Sequence, residues 1–396
     1  MRSIPSRDCP SQGTSWPVSL FGCAVLAGAS AVSCGAGVDR GEQPAGTVEE
    51  VSAPLSSVAI ASQPEASASN SILVDIFRAS PRTLASGVTP AGIAVSTDTV
   101  FWTGTEVVQP YVYNIGIFSM AMSGATTATE LYNIPASNGQ SPDSLVAAGR
   151  SLYWINPAQS ASWAGLWTMP LTGGTATHIA TIQDLSTQKQ GVVVPLNGGT
   201  GPYYSLTIQV LVSDPSNSHL WSYTHSLLVN TSWTRTAIVD GTDIDPNHGL
   251  YYPDNMTFDA SNVYFVSDQT FPLTPVYQRS FSGGAPVQIS TGNAHSPIAV
   301  YASNVYFVSG NSIVTVPVGG GAQTTFATDS GEPTTFAVDG STLYWTCTTC
   351  GTVSKLAFAG GAPTTLAASE QSPKYIAAGP SDVYWGASNA VRHRSK

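Results

Sequence analysis

Charge is what this sequence has least of. Asp, Glu, Lys and Arg make up 10% of its 396 residues, against roughly a quarter in an average soluble protein. Cations are the scarcer kind, with 14 Lys and Arg against 24 Asp and Glu, a net charge of −10 and a pI near 4.9. An acidic, lysine-poor surface repels phosphate backbones, so nucleic acid is excluded as a partner. The basic end, Arg392-His393-Arg394-Ser395-Lys396, reads as a solvated chain terminus. Helical runs are missing as well. Beyond the first 35 residues no stretch of Leu, Glu, Lys and Ala recurs with helical spacing. No HExxH, GxSxG or phosphate-cradling loop occurs, so no catalytic motif announces an enzyme. The histidines (His178, His219, His225, His248, His295 and His393) are scattered; His248 and His295 each read most simply as a surface residue.

What is abundant suits strands and turns: 37 Gly, 27 Pro and a steady supply of Thr, Ser, Val and Tyr. The N-terminal part has a different character. Arg2 and Arg7 precede an apolar stretch from Trp16 to Val32, followed by small residues around Ala31-Val32-Ser33-Cys34. A charged segment, an apolar segment and a small-residue cleavage site constitute a signal peptide over residues 1–33. The apolar part is too short and interrupted for a membrane span. Residues 34–70 are rich in Ser, Ala, Pro, Gly and Glu and almost free of aromatics. Such a composition predicts a flexible tether.

From residue 71 to 396 the sequence repeats itself. The clearest unit, Phe336–Ala367, holds four short apolar-alternating runs: Phe336–Val338 (strand a), Leu343–Trp345 (b), Val353–Phe358 (c) and Thr364–Leu366 (d). Asp339-Gly340-Ser341 and Gly360-Gly361 separate them, and such turns need positive φ. The strand-b anchor recurs as Val100-Phe101-Trp102, Leu152-Tyr153-Trp154, Val263-Tyr264-Phe265, Val305-Tyr306-Phe307, Leu343-Tyr344-Trp345 and Val383-Tyr384-Trp385. The last four lie about 40 residues apart, the period of propeller blades. A degenerate unit fits the wide gap after Tyr153, with Gln209–Val212 as b, His219–Leu228 as c and Trp233–Val239 as d. The expected fold is therefore an all-β propeller of seven blades, or six if that stretch is an insertion. The last repeat lacks strand d, and Pro81–Ala85 resembles Pro363–Ala367. The N-terminal segment should complete the last blade and close the ring.

These short motifs resemble the YWTD-type propellers and propeller lipoproteins of bacterial envelopes. YWTD proteins have six blades, and the motif aspartate is replaced here, as in Trp102-Thr103-Gly104, Trp154-Ile155-Asn156 and Trp345-Thr346-Cys347. Ala31-Val32-Ser33-Cys34 resembles a lipobox with Ala where Leu is usual. The resemblance implies a lipid-modified Cys34, with Gly35 favouring the outer membrane; an ordinary secreted protein with an incidental cysteine is the other reading.

In a propeller the b–c and d–a loops share one face, and the a–b and c–d turns the other. The second set is short and uniform here. The first set is long over the first four blades: b–c loops at Thr103–Gly116, Asn156–Gly165 and Asp268–Pro275, and d–a loops at 133–142, 182–202 and 240–255. These segments carry Tyr111, Tyr113, Trp163, Tyr251, Tyr252, Phe271 and His248, and His295 lies on a d–a loop of the same face. Aromatics among Asn, Ser and Asp suit sugar or peptide contacts; packing of drifting loops onto the blades is the simpler alternative.

Two chemical features stand out. Asp243, Asp245 and Asn247 alternate, and Asp254 follows, so that their oxygens could converge on calcium. His248 stands where an EF-hand has Gly, no helices flank the loop, and an acidic loop with Asx turns fits as well. Calcium is the one cofactor the sequence admits. Cys347-Thr348-Thr349-Cys350 lacks further ligands for zinc and the helix of a thioredoxin site, which leaves a local disulfide between Cys347 and Cys350.

The function expected is a monomeric, non-catalytic scaffold binding a protein, peptide or carbohydrate at the cell envelope, in contact with the membrane through its lipid anchor only. A propeller hydrolase or lyase acting on an extracellular sugar, peptide or lactone is the alternative.

Overall fold

The structure, a computed structural model, describes residues 80–396 apart from 110–111, 124–126, 135–141, 157–164, 181–190, 199–204, 215–218, 227–233, 241–242, 246–248, 251–252 and 268–273. Side chains at 107–109, 112–113, 143–144, 180, 191–198, 205–214, 219–226, 234–235, 244–245, 249–250 and 253–254 also lie outside the description.

Every regular element among the described residues is a strand. The chain opens with β1 (Arg82–Ser86). Sheet 1 follows as β2 (Val88–Val95), β3 (Thr99–Gln109), β4 (Val112–Ala121) and β5 (Thr129–Ile134). Sheet 2 is β6 (Asp143–Ala148), β7 (Ser151–Asn156), β8 (Gly165–Pro170) and β9 (Thr177–Ala180). Sheet 3 is β10 (Gly191–Gly198), β11 (Ser205–Asp214), β12 (His219–Ser226) and β13 (Thr234–Val239). A two-stranded ladder, β14 (Ile244–Asp245) and β15 (Gly249–Leu250), precedes sheet 4: β16 (Pro253–Phe258), β17 (Asn262–Ser267), β18 (Val276–Ser280) and β19 (Val287–Gln288). Sheet 5 is β20 (His295–Tyr301), β21 (Asn304–Ser309), β22 (Ser312–Pro317) and β23 (Thr324–Thr328). Sheet 6 is β24 (Thr335–Asp339), β25 (Thr342–Cys347), β26 (Thr352–Ala357) and β27 (Thr364–Ala367). Sheet 7 is β28 (Lys374–Ala378), β29 (Asp382–Ala387) and β30 (Ala390–Ser395), with β1 as its fourth strand.

Each sheet is an antiparallel meander, and the meanders stand side by side in chain order. Their first strands contact one another in succession, β2 with β6, β6 with β10, then β16 with β20, β20 with β24 and β24 with β28, and β28 returns to β2, while sheet 3 meets β16 through β11. The all-β propeller expected from the repeat is therefore present. The stretch that could have been an insertion folds as a four-stranded sheet of its own.

The anchor aromatics explain why the meanders pack. Trp102, Trp154, Trp345, Trp385, Tyr264 and Phe307 are all buried, at most 1% exposed. They sit between sheets: Trp102 packs with Phe118, Tyr384 and Val391 across sheets 1 and 7, and Trp345 with Ala299, Ile313 and Leu356 across sheets 5 and 6. Each such ring contributes about 2–3 kcal/mol by leaving water. In sheets 4 and 6 a turn aspartate also ties the anchor tyrosine. Tyr264 Oη donates to Asp259 Oδ2 at 2.6 Å, and Tyr344 Oη to Asp339 Oδ2 at 3.1 Å. Burial first, and the adjacent carboxylate second, push both phenols well above the ordinary value of 10.

The two chain ends share sheet 7. β1 pairs antiparallel with β30, Arg82 opposite His393 and Thr83 opposite Arg392. The seam carries a polar network: Arg392 Nη1 donates to Thr83 Oγ1 at 3.1 Å, and Arg392 Nη2 to the buried Glu370 at 3.2 Å.

Candidate functional site

The two faces differ as turn chemistry requires. On one, the c–d turns of sheets 2, 4, 5 and 6 share a Gly-Gly pair with positive φ at both residues. The first glycine of each pair donates three residues back: Gly173 to Pro170, Gly283 to Ser280, Gly320 to Pro317 and Gly360 to Ala357, at 2.8–3.1 Å.

The opposite face is where sheet 1 departs from the rest. Strand b ends two residues past its anchor aromatic in sheets 2, 4, 5, 6 and 7, at Asn156, Ser267, Ser309, Cys347 and Ala387. In sheet 1 it runs from the anchor Trp102 on to Gln109. Gly104 faces Gly116, Glu106 faces Asn114 and Gln109 faces Val112, so the pairing continues outward as a hairpin. Five extra residues extend a strand by roughly 16 Å. Asn114 Nδ2 donates to Glu130 Oε2 at 2.9 Å, and Asn133 Nδ2 donates to Asn114 Oδ1, a polar rung across β4 and β5.

Three expected loops are thus corrected. Thr103–Gly116 is largely paired strand, because Thr105, Val107, Val112 and Tyr113 keep strand-forming residues opposite one another. Within 182–202, Gly191–Gly198 is strand a of sheet 3, paired from Gly191–Val212 to Gly198–Ser205; its Val192-Val193-Val194 run was the signal. Within 240–255, β14 and β15 form a small ladder, Ile244 opposite Leu250 and Asp245 opposite Gly249.

Of the aromatics expected on this face, Tyr111, Trp163, Tyr251, Tyr252 and Phe271 lie outside the described residues, as does His248. Tyr113 is placed on β4 opposite Val107, its side chain likewise outside the description. His295 opens β20, and its Nδ1 lies 2.9 Å from Glu332 Oε1, both side chains half exposed. Asn255 Nδ2 donates to Ser296 Oγ, linking the first strands of sheets 4 and 5. Thr348 donates from its amide to Thr334 Oγ1 and from its hydroxyl to the Pro373 carbonyl. The described part of the inner rim is therefore polar, built where the first strands of sheets 4 to 7 begin.

Prolines recur at that end of the first strands. Pro90, Pro142, Pro253, Pro333 and Pro373 each stand three residues before the first inward apolar residue of strand a: Ile93, Leu145, Met256, Phe336 and Ile376. The a–b register shifts at this end in sheets 1, 2, 4, 5 and 7. Proline cannot donate to a ladder and tolerates a bulge. The Pro-x-x-apolar spacing was the available signal.

Cys347 and Cys350 are disulfide-bonded, with Cα atoms 5.2 Å apart. The bond sits at the b–c turn of sheet 6, against the loop carrying Glu332. A Cβ on Gly331 would lie 2.6 Å from Cys350 Sγ, so only glycine lets that loop come so near. Of the calcium candidates, Asp243 is engaged: its Oδ2 accepts from Arg279 Nη1 at 2.8 Å and from the Asp240 amide at 3.0 Å. Asp245 lies on β14 and Asp254 on β16, with side chains outside the description, and Asn247 and Cys34 lie wholly outside it. Among the described residues no three His, Cys, Asp or Glu side chains converge.

No protein-family model matches this chain, and no curated protein does. Solved structures are similar to it. Sqt1 of Saccharomyces cerevisiae is 10% identical with a TM-score of 0.52, over 80% of this chain and 98% of that one. The extracellular domain assigned to a hybrid two-component system of B. thetaiotaomicron is also 10% identical with a TM-score of 0.52, over 79% of this chain but 39% of its own. A chain of the nidogen/laminin complex is 17% identical with a TM-score of 0.39, over 59% of this chain and 77% of that one. At such identities the likeness carries the fold alone, a β-propeller.

Proposed function

We propose that this protein is a non-catalytic binding scaffold whose working surface is the face bearing the sheet 1 hairpin. Each four-stranded sheet is one blade, seven in all. The observation that carries the reading is the difference in build between the two faces: Gly-Gly turns in four of the sheets on one, and strand b of sheet 1 prolonged by about five residues on the other. A rigid ring that prolongs one blade outward on a face is a scaffold presenting contacts. The ligand is a protein, peptide or carbohydrate, met through the aromatics of the long segments (Tyr111, Tyr113, Trp163, Tyr251, Tyr252 and Phe271) and through His248 and His295.

The setting is the cell envelope, reached through the signal peptide of residues 1–33 and held by a lipid on Cys34, with 34–70 as tether. Incorporation of labelled fatty acid into the wild type and its loss in Cys34→Ala tests the anchor. Replacing residues 105–115 by a two-residue turn tests the face. The shortened chain should keep its melting temperature and lose binding on glycan and peptide arrays. Equal array binding by both chains places the working surface elsewhere. Calcium at Asp243, Asp245, Asn247 and Asp254 predicts a rise in melting temperature at millimolar calcium, and an unchanged value retires it.

A further inference from the structure

The opposite face holds a second place of interest, at the seam where the ring closes. A cavity of about 380 Å³ is lined by Arg82, Asp382, His393, Arg394 and Ser395 of sheet 7, with Met122 from the c–d turn of sheet 1. Register brings Arg82, His393, Ser395 and Asp382 to one side of the sheet, and Arg394 joins the lining from the next position on β30. Arg82 on β1 faces His393 on β30, which faces Tyr384 on β29, so three side chains form one row across the closing sheet. Two residues along the same pair of strands, Ser395 faces Asp382. The His393 ring stacks on Tyr384, centroids 5.6 Å apart and 13° from parallel. Its Nδ1 is buried without a hydrogen-bond partner, because the nearest carboxylate oxygen, Asp382 Oδ1, stands 3.9 Å away. In a chain with 14 Lys and Arg among 396 residues, two arginines and a histidine around one hollow is a local reversal of the overall charge.

We propose that this cavity is an oxyanion site that takes a phosphate group, with Arg82 and Arg394 supplying charge and His393 donating from Nδ1. Arginine presents a planar fork of donors suited to such a group. The ligand supplies the acceptor that the buried Nδ1 lacks. Because β1 and β30 both contribute, an occupant bridges the two ends of the chain and favours the closed ring over any opened form. Protonation and binding are coupled. Burial holds His393 below its ordinary pKa, Asp382 opposes that, and Arg82 and Arg392 add to it. An anion entering the cavity favours the imidazolium, so affinity rises as pH falls from 8 toward 5.5.

The test uses the full chain with inorganic phosphate, followed by calorimetry and by the NMR titration of His393, assigned by its loss in His393→Gln. Saturable binding, an upward move of the His393 titration on adding phosphate, and affinity at least tenfold weaker in Arg82→Gln/Arg394→Gln are expected. Asp382→Asn removes the one opposing carboxylate and should bind at least threefold tighter, an effect that lost folding cannot imitate. Arg394→Gln alone serves if the double variant does not fold. Vesicles with and without phosphatidylglycerol distinguish the source of the phosphate. Binding of inorganic phosphate without vesicle association indicates a free ligand, and phosphate-competed association indicates a headgroup. No saturable binding in either arm overturns the proposal, as does equal affinity in Arg394→Gln and the wild type.

Discussion

Trp345 and Trp385 each find a carboxylate: Nε1 donates to Asp329 Oδ2 at 2.6 Å in one and to Glu370 Oε2 at 3.1 Å in the other. The same position in sheets 1 and 2 is held by Trp102 and Trp154, whose buried Nε1 atoms have no partner. The acid comes from the preceding d–a loop, and before sheet 1 it is Ser86, the last residue of β1, that stands four residues before Pro90, where Asp329 stands four before Pro333. Stranding a buried donor costs roughly 1–3 kcal/mol. Asp329→Ala should therefore lower unfolding free energy by about that amount, and Trp345→Phe in that background should cost less than in the wild type; urea titration of the four chains measures both. Glu370→Ala should cost more, since Arg392 loses its carboxylate partner too and keeps only Thr83 among those described. His393 makes a prediction of opposite kind. The unfolded histidine binds its proton near 6.5, while the folded one binds it only at lower pH. Stability is thus lost as pH falls through the window below 6.5. His393→Gln should flatten that slope in phosphate-free melts. None of this was legible beforehand, because single residues declare their type and not their neighbours; the tryptophans read as core, correctly, without showing which would lack a partner.

At the scale of the element, the sheet 1 hairpin depends on the glycine pair at its base. A Cβ on Gly104 would lie 2.4 Å from the Thr89 carbonyl oxygen, and one on Gly116 2.6 Å from that of Tyr132. Both contacts are with backbone, which cannot swing aside, so Gly104→Ala and Gly116→Ala should each cost roughly 1–3 kcal/mol by denaturant titration. Removing the hairpin above them should cost little. The disulfide of sheet 6 closes a very short loop, with three residues of separation. Chain entropy then gives about 2 kcal/mol. A reductant should lower the melting temperature of the wild type and leave Cys347→Ala/Cys350→Ala unmoved. Elements were the most legible scale. Apolar alternation and Gly-Gly turns announced most of the strands, down to the three of sheet 3 found in a degenerate stretch. Length misled where pairing continued past the anchor, as at Thr103–Gly116, since a hairpin without a tight glycine turn lacks the punctuation that marks its strands. Tyr111, Trp163 and the other aromatics proposed as contacts were chosen by residue type and loop length, and neither property reports where a side chain points.

For the whole molecule, closure is the decisive contact. The likeness of Pro81–Ala85 to Pro363–Ala367 predicts a fourth strand for the last sheet, and β1 does pair with β30. A chain beginning at Ser80 should melt like the full protein, whereas one beginning at Gly87 should melt far lower and expose the edge of β30 to added β1 peptide, measurable as peptide-dependent recovery. The arginine–threonine bond of this seam joins residues 309 positions apart. During synthesis β1 must therefore wait for β30. A ribosome that stops anywhere before β30 releases a product with a bare edge and an unfilled groove, open to proteases and to neighbouring sheets. Completion of the ring thus serves as a check that translation has passed β30.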